Sequence, residues 1–97
     1  MNGNNLQIGE IYDTIIIRAN EEYKGKSLYI GKKLKRDIVN RHIMVFDAGM
    51  GIEAYAFKDY TFENRELRVT STRQLHPSLL ERKYLTNQLK KALSQNK

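Results

Sequence analysis

The chain has 97 residues, of which 40% are hydrophobic and 29% charged, and seventeen Lys and Arg against eleven Asp and Glu give a net charge of +6. This length predicts a single domain with one modest core and no separate catalytic domain. The absence of cysteine excludes disulfides, thiolate metal sites and cysteine nucleophiles. Because no apolar run is long enough to span a bilayer and no signal-peptide pattern is visible, we expect a cytoplasmic protein.

The first part of the chain is predicted to form two strands. Residues 11–18 are rich in isoleucine and too short for a typical helix, which favours a strand. Residues 19–25 are polar and end in a glycine, so we expect a connection there. Residues 27–35 alternate between apolar and polar side chains and predict a second strand, in which Gly31 marks a bulge or a sharp bend.

The middle of the chain is predicted to form further short strands joined by tight turns. Residues 41–46 and 52–57 alternate as strands do. The segment 47–51 between them contains two glycines and predicts a hairpin turn with positive φ angles. Residues 58–62 predict a short bent segment, and residues 66–72 predict the last strand.

The hydrophobic period changes near the end of the chain and predicts one amphipathic helix over residues 79–94. Ser78 and Glu81 have the spacing of a capping box, in which each side chain accepts a hydrogen bond from the other residue's backbone N–H. The apolar stripe of this helix has helical spacing and is expected to face the sheet. Its members are Leu85, Leu89, Ala92 and Leu93, with Leu79 at the edge.

Together these elements predict a mainly β fold with one C-terminal helix. We expect four to five short antiparallel strands that close into a small SH3-like or partly open barrel, which would hide the edges of the sheet. A flat α+β sandwich is the alternative. The predicted organisation is a flexible start over residues 1–9, a barrel or sheet over residues 10–73 and a helix over residues 78–95.

A basic stretch in the first half is the strongest indication of function. Between residues 24 and 41 there are seven cationic side chains and one acid, Asp37, with Tyr29 among them and Tyr23 directly before them. Lysine and arginine neutralise phosphates with release of counterions, and tyrosine rings can stack on bases. The plainer interpretation is that these lysines lie on solvated strand ends, that Tyr29 belongs to the core, and that nearby acids pair with part of the charge.

On this basis the chain is predicted to be a small, basic, non-catalytic nucleic-acid-binding module. RNA or single-stranded DNA is favoured over duplex DNA because no recognition helix of the helix-turn-helix kind is visible. Tyr29 or Tyr55 is predicted to stack on a base while the cations contact phosphates. The predicted nucleic-acid-binding residues are Lys24, Lys26, Tyr29, Lys32, Lys33, Lys35, Arg36 and Arg41.

A protein-interaction or regulatory module is the alternative function. Leu80 and Tyr84 form an apolar sector of the helix away from its main stripe, and they are the predicted partner-binding residues. The partner could be a host or acidic protein, as for small phage or mobile-element proteins, or a second copy joined through the C-terminal helix. Membrane binding is not expected, because the helix lacks the large Trp- or Phe-rich face that it requires.

An enzyme is not expected from these residues. The two histidines, His42 and His76, could together support acid–base cleavage of RNA, but nothing in their spacing places them side by side. The glycines at 49 and 51 lack the strand–loop–helix context of a dinucleotide-binding loop. No Asp, Glu or His spacing predicts a metal site, so no cofactor or metal is expected.

Overall fold

A computed structural model describes residues 6–31, 42–47, 49 and 51–95 of the chain. These residues form one sheet of seven strands followed by one helix, which confirms the predicted mainly β class with a C-terminal helix. The elements are β1 (Ile11–Arg18), β2 (Glu21–Gly31), β3 (His42–Asp47), β4 (Ile52–Phe57), β5 (Tyr60–Glu63), β6 (Glu66–Val69), β7 (Thr72–Leu75) and α1 (Leu79–Gln95).

The sheet has the strand order β5-β6-β1-β2-β3-β4-β7 and is not closed into a barrel. Two parts of the predicted architecture are corrected. The strands number seven instead of four to five, and the pair β1–β6 is parallel whereas the prediction was wholly antiparallel. The SH3-like assignment stays a prediction. Strands β5 and β7 form the two edges, so the sheet is curled but open.

Two-residue turns explain why some predicted strand boundaries differ from the structure. Ala19 and Asn20 have φ angles of 49° and 67°, which is the geometry of a tight hairpin turn with positive φ at both central positions. The predicted polar connection at residues 19–25 is therefore wrong, because β2 already begins at Glu21 and pairs with Arg18. Asn64 and Arg65 form the same kind of turn, with φ angles of 53° and 66°, between β5 and β6.

The predicted last strand and the predicted bent segment are also revised. Residues 66–72 are divided into β6 and the start of β7, because the chain leaves the sheet after Val69 and re-enters it beside β4. The segment predicted as a bend at residues 58–62 contains β5. Strands of four residues carry too short an alternation to be recognised separately in sequence, and the pairings of β6 with β1 and of β7 with β4 join residues far apart along the chain.

One face of the sheet, the inner face, is buried by the curl of the sheet itself. Aromatic contacts cross this face, since the Phe57 ring on β4 lies 5.7 Å from the Tyr60 ring on β5 although four strands separate β4 from β5 in the sheet order. On the β5 side, Tyr12 and Phe62 meet edge to face at 5.3 Å. The buried inner cluster consists of Ile16, Tyr29, Met44, Phe46, Tyr55, Phe57, Leu67 and Val69.

The opposite face, the outer face, is covered in part by α1. Leu89 is the buried residue of the helix and packs with a smaller cluster on β2, β3 and β4. The capping box is confirmed, because the Glu81 carboxylate accepts the Ser78 N–H at 2.9 Å and the Ser78 hydroxyl accepts the Glu81 N–H at 3.2 Å. The outer cluster consists of Leu28, Val45, Ile52 and Leu89, flanked by Ile11, Ile30, Leu85, Ala92 and Leu93.

Two glycines of β2 shape the sheet. Gly31 has a φ of 113° and lies where the register of β2 against β3 shifts, so the predicted bulge is confirmed. Gly25 allows the backbones to approach closely, because a Cβ at this position would overlap the carbonyl oxygen of Asp47 and lie 2.9 Å from the Phe46 ring. The predicted hairpin between β3 and β4 is also confirmed by their antiparallel pairing.

Candidate nucleic-acid interface

The run of highest positive charge lies between β2 and β3. Residues 32–41 carry five cations and one acid, whereas the described residues carry eleven Lys and Arg against ten Asp and Glu. The described residues on either side, Gly31 and His42, lie at the same end of the sheet, because Gly31 is paired with Ile43. Five predicted contact residues lie outside the described residues, namely Lys32, Lys33, Lys35, Arg36 and Arg41.

This end of the sheet also carries two cations that the sequence did not single out. His42, Phe57 and Thr72 form one row across β3, β4 and β7, since His42 pairs with Phe57 and Phe57 pairs with Thr72. Lys58 follows Phe57 and so lies just beyond this row, whereas Arg73 pairs with Ala56 one row further in, level with Ile43 and Gly31. Both cations therefore lie near the end of the sheet that holds Gly31 and His42. We call this region the His42 end.

Lys58 and Arg73 line a shallow polar cleft of about 280 Å³ at the His42 end. The other lining residues are Asp59, Ser71 and Thr72, and the Thr70 N–H donates to the Asp59 carbonyl oxygen at 3.4 Å beside it. An ammonium, a guanidinium and two hydroxyls are donors suited to a phosphate group. Asp59 reduces the positive potential of the cleft, so the site favours an anion that also contacts neighbouring cations.

An aromatic cluster supports the His42 end from the inner face. The His42 ring stacks on Phe57 at a centroid distance of 5.2 Å and meets Tyr60 edge to face at 5.2 Å. Its Nδ1 lies 2.7 Å from the Tyr29 hydroxyl, within hydrogen-bond distance. Burial raises the pKa of Tyr29 above the ordinary value of 10.0, with smaller contributions from nearby tyrosines. This packing holds the first residue of β3 in a fixed position.

The tyrosines proposed for base stacking are buried. Tyr29 is 5% exposed and Tyr55 is 8% exposed, and both belong to the inner cluster. Neither ring therefore offers a free face to a base in this structure. Tyr60, which sequence reasoning did not select, is the partly exposed tyrosine at the His42 end.

Lys24 and Lys26 lie toward the opposite end of β2. At about 3.3 Å per residue, five residues place Lys26 roughly 17 Å from Gly31, and Lys24 is roughly 23 Å away. The Lys26 ammonium lies 2.5 Å from the Asp13 carboxylate, and Lys26 also pairs in register with Asp47. The structure therefore separates these two predicted contact residues from the His42 end.

Ion pairs neutralise much of the charge on the outer face beyond α1. Arg68 on β6 lies 3.5 Å from the Glu22 carboxylate and 3.7 Å from that of Glu66. With the pair Lys26–Asp13, these are the ion pairs found among the described residues. Because all of these groups are substantially exposed, the pairs contribute little to stability, but they lower the net potential of this surface.

The two predicted partner-binding residues are exposed on α1. Leu80 is 78% exposed and Tyr84 is 62% exposed, while the main apolar stripe of the helix faces the sheet. Tyr84 lines two cavities between the helix and the sheet. The described residues around α1 thus leave this apolar sector open to solvent.

The arrangements considered for catalysis and metal binding are not formed by the described residues. The His42 ring lies in the inner aromatic cluster, whereas His76 lines a cavity on the α1 side of the sheet. No group of three His, Asp or Glu side chains suited to a metal ion occurs in the described part of the chain. In that same part, no helix has the length and apolar character needed to cross a membrane.

The sequence contains one signal that could have revealed Lys58 and Arg73. Lys58 directly follows the last residue of β4, and Arg73 is the second residue of β7. Their proximity depends on the pairing of β4 with β7, which cannot be inferred until β7 is recognised as a separate strand. Ser71, immediately before β7, breaks the apolar alternation and marks this boundary. Long-range pairing of this kind is not encoded in local periodicity.

No protein-family model matches this chain, and no curated protein or solved structure matches it. No function can therefore be transferred from a relative. The features on which a function can rest are the cations of the His42 end and the exposed sector of α1.

Proposed function

We propose that the chain is a small non-catalytic nucleic-acid-binding module that holds RNA or single-stranded DNA at the His42 end. The supporting observation is the polar cleft that Lys58 and Arg73 share there. Gly31 and His42, the described residues on either side of the basic run in the sequence, lie at the same end of the sheet as Lys58 and Arg73. A nucleic-acid backbone carries phosphates at short intervals and can contact several such cations together.

The proposed binding depends on phosphate contacts more than on base stacking. Tyr29 and Tyr55 are buried, whereas Lys58 and Arg73 share the polar cleft. Contacts of this type carry little sequence information and release counterions. We therefore expect weak sequence preference and an affinity that falls steeply with salt.

The test is a fluorescence-anisotropy titration of labelled single-stranded RNA, single-stranded DNA and duplex DNA at about 50 mM and about 300 mM salt. A double variant, Lys58→Glu with Arg73→Glu, should weaken binding by about tenfold or more and lower the salt dependence. The matched control is Lys24→Glu with Lys26→Glu, which changes the charge equally at the opposite end of β2. This control should weaken nucleic-acid binding less than the double variant at Lys58 and Arg73.

Two results would contradict the proposal. Equal affinity at both salt concentrations would remove the counterion argument. Equal losses of affinity in the two double variants would show that binding depends on the net charge of the chain and not on the His42 end. Reversal of Lys32, Lys33, Lys35 and Arg36 together should abolish binding while the circular dichroism spectrum stays unchanged.

A second candidate function is a protein-interaction module acting through α1. The observation that favours it is the exposure of Leu80 and Tyr84, and also of Leu79, on a helix whose apolar residues from Leu85 to Leu93 are packed on the sheet. Large apolar side chains grouped on a surface are typical of a docking site. This function and nucleic-acid binding use different parts of the molecule and are not exclusive.

A further inference from the structure

An apolar groove runs along one flank of α1. It consists of two cavities of about 510 and 580 Å³, and Ile30, Tyr84 and Leu85 line both of them, so the cavities adjoin. The first continues toward Leu75 on the edge strand β7, and the second continues toward Ile8. We call this feature the α1 groove.

Large apolar side chains stand exposed at the α1 groove. Ile8 is 74% exposed, and Tyr84 forms the shared wall of the two cavities. Leu80 lies one helical turn before Tyr84, so the two side chains are neighbours on the helix surface. Removing this area from water would be favourable at about 25 cal/mol per Å².

The charge of α1 indicates what kind of segment fits the groove. All residues of α1 are described, and Glu81 is its one acid, whose carboxylate already accepts the Ser78 N–H. Lys83, Lys90 and Lys91 are exposed, and Lys91 lines the second cavity. A second copy of the chain would bring two such lysine-bearing helices together, which like-charge repulsion disfavours. An acidic segment is complementary to this surface.

We propose that the α1 groove binds an acidic amphipathic helix of another protein. The inference rests on the second candidate function and specifies its partner. Large apolar side chains of the segment would fill the two cavities beside Tyr84, and its carboxylates would lie near Lys91. The groove follows α1 from Glu81 to Gln95, about 21 Å at 1.5 Å per residue, which four turns of a docked helix can match.

The test begins with selection of random helical peptides displayed on phage against the full chain. We expect the enriched peptides to carry net negative charge and large apolar residues at helical spacing. The most enriched peptide, labelled with fluorescein, is then the probe for anisotropy titrations. Tyr84→Ser should weaken its binding by about tenfold or more, as for a central interface tyrosine. Lys91→Glu should weaken it as well.

Two control variants separate the groove from general surface effects. Tyr23→Ser removes a tyrosine that is 46% exposed on β2, outside the groove, and should leave the affinity unchanged. Lys58→Glu makes the same charge change as Lys91→Glu but at the His42 end, and should also leave it unchanged. Because Tyr84 and Lys91 are exposed, their variants should retain the circular dichroism spectrum of the parent chain.

Several outcomes overturn the proposal. Absence of enrichment, or enrichment of neutral or basic peptides, rejects an acidic partner. An enriched acidic peptide that is insensitive to Tyr84→Ser rejects the groove but leaves a protein-interaction function standing at another surface. Analytical ultracentrifugation tests for a dimer of the chain. If a dimer forms and is lost in the double variant Leu80→Ser with Tyr84→Ser, the groove binds a second copy of the chain instead. The nucleic-acid function is tested separately through Lys58 and Arg73.

Discussion

The two faces of the sheet are buried by different means. On the inner face, eight buried side chains from five strands pack against one another as the sheet curls. On the outer face, three buried sheet residues, Leu28, Val45 and Ile52, are covered by one helix with a single buried residue, Leu89. The inner face therefore depends on many mutually supporting contacts, whereas the outer face depends on one attached element. Two parts of the outer face, the α1 groove and the ion-paired surface of β1, β2 and β6, are not covered by other described residues.

The largest expected effect is on the inner face, from Phe57→Ala. Phe57 is fully buried and contacts both His42 and Tyr60, so its removal leaves a cavity at the centre of the aromatic cluster. We expect a loss of about 3 to 5 kcal/mol in the free energy of unfolding, measured by urea denaturation. Phe62→Ala, at the partly buried margin of the same cluster, should cost less. Similar losses for the two would contradict the idea of one central cluster.

Leu89→Ala is the matching change on the outer face, and we expect it to cost about 2 to 4 kcal/mol. Leu80→Ala is the control, because Leu80 lies on the same helix but is exposed. Hydrogen exchange should show whether the loss falls on α1 alone or on the whole sheet. Faster exchange confined to α1 would sharpen the distinction between the two faces. No change in stability would mean that the helix is not packed on the outer cluster.

Gly25→Ala tests the close approach of β2 to β3. The added methyl group would overlap the carbonyl oxygen of Asp47 and press on the Phe46 ring, so the strands must separate. We expect a loss of about 1 to 3 kcal/mol in thermal or urea unfolding. Ser27→Ala is the control on the same strand, because it adds no atoms. The Ser27 hydroxyl is buried without a hydrogen-bond partner among the described residues, so this control should be neutral or stabilising. If Gly25→Ala leaves the free energy of unfolding unchanged, the strands can separate at this position without loss of stability.

The smallest effect is expected from Tyr29→Phe, which removes the hydrogen bond to His42 and leaves the ring. At neutral pH the loss should be about 0.5 to 1.5 kcal/mol. Burial raises the pKa of Tyr29, so its contribution to stability is complete below the ordinary value of 10.0 and is lost as the pH rises from there through the raised pKa of the folded state. The difference between parent and variant should therefore shrink above pH 10, as measured by unfolding at several alkaline pH values. A difference that grows in this range would contradict the assigned burial.

The sequence by itself determined the elements whose signals are local. The alternation in β3 and β4, the capping box at Ser78 and Glu81 and the apolar stripe of α1 from Leu85 to Leu93 are all confirmed. Leu79, predicted at the edge of that stripe, is instead 87% exposed. In each confirmed case neighbouring residues supply the full physical cause, either a period of two or 3.6 residues or a hydrogen bond within one turn. The exposure of Leu80 and Tyr84 follows from the same helical period.

The tertiary structure alone decided which distant residues meet. Strands β5 and β7 are too short to be recognised separately, and β6 is predicted only as part of a longer strand. β6 is held by β1, β5 by β6 and β7 by β4. That pairing brings Lys58 and Arg73 to the His42 end and leaves Lys26 beside Asp13. Tyr29 is a second example. The alternation of β2 assigns its side chain to one face of the sheet, but only the curl of the sheet determines that this face is buried. Side-chain type and spacing determine the period of each helix or strand. Long-range strand pairing and sheet curvature determine which charged side chains are paired and which rings are buried.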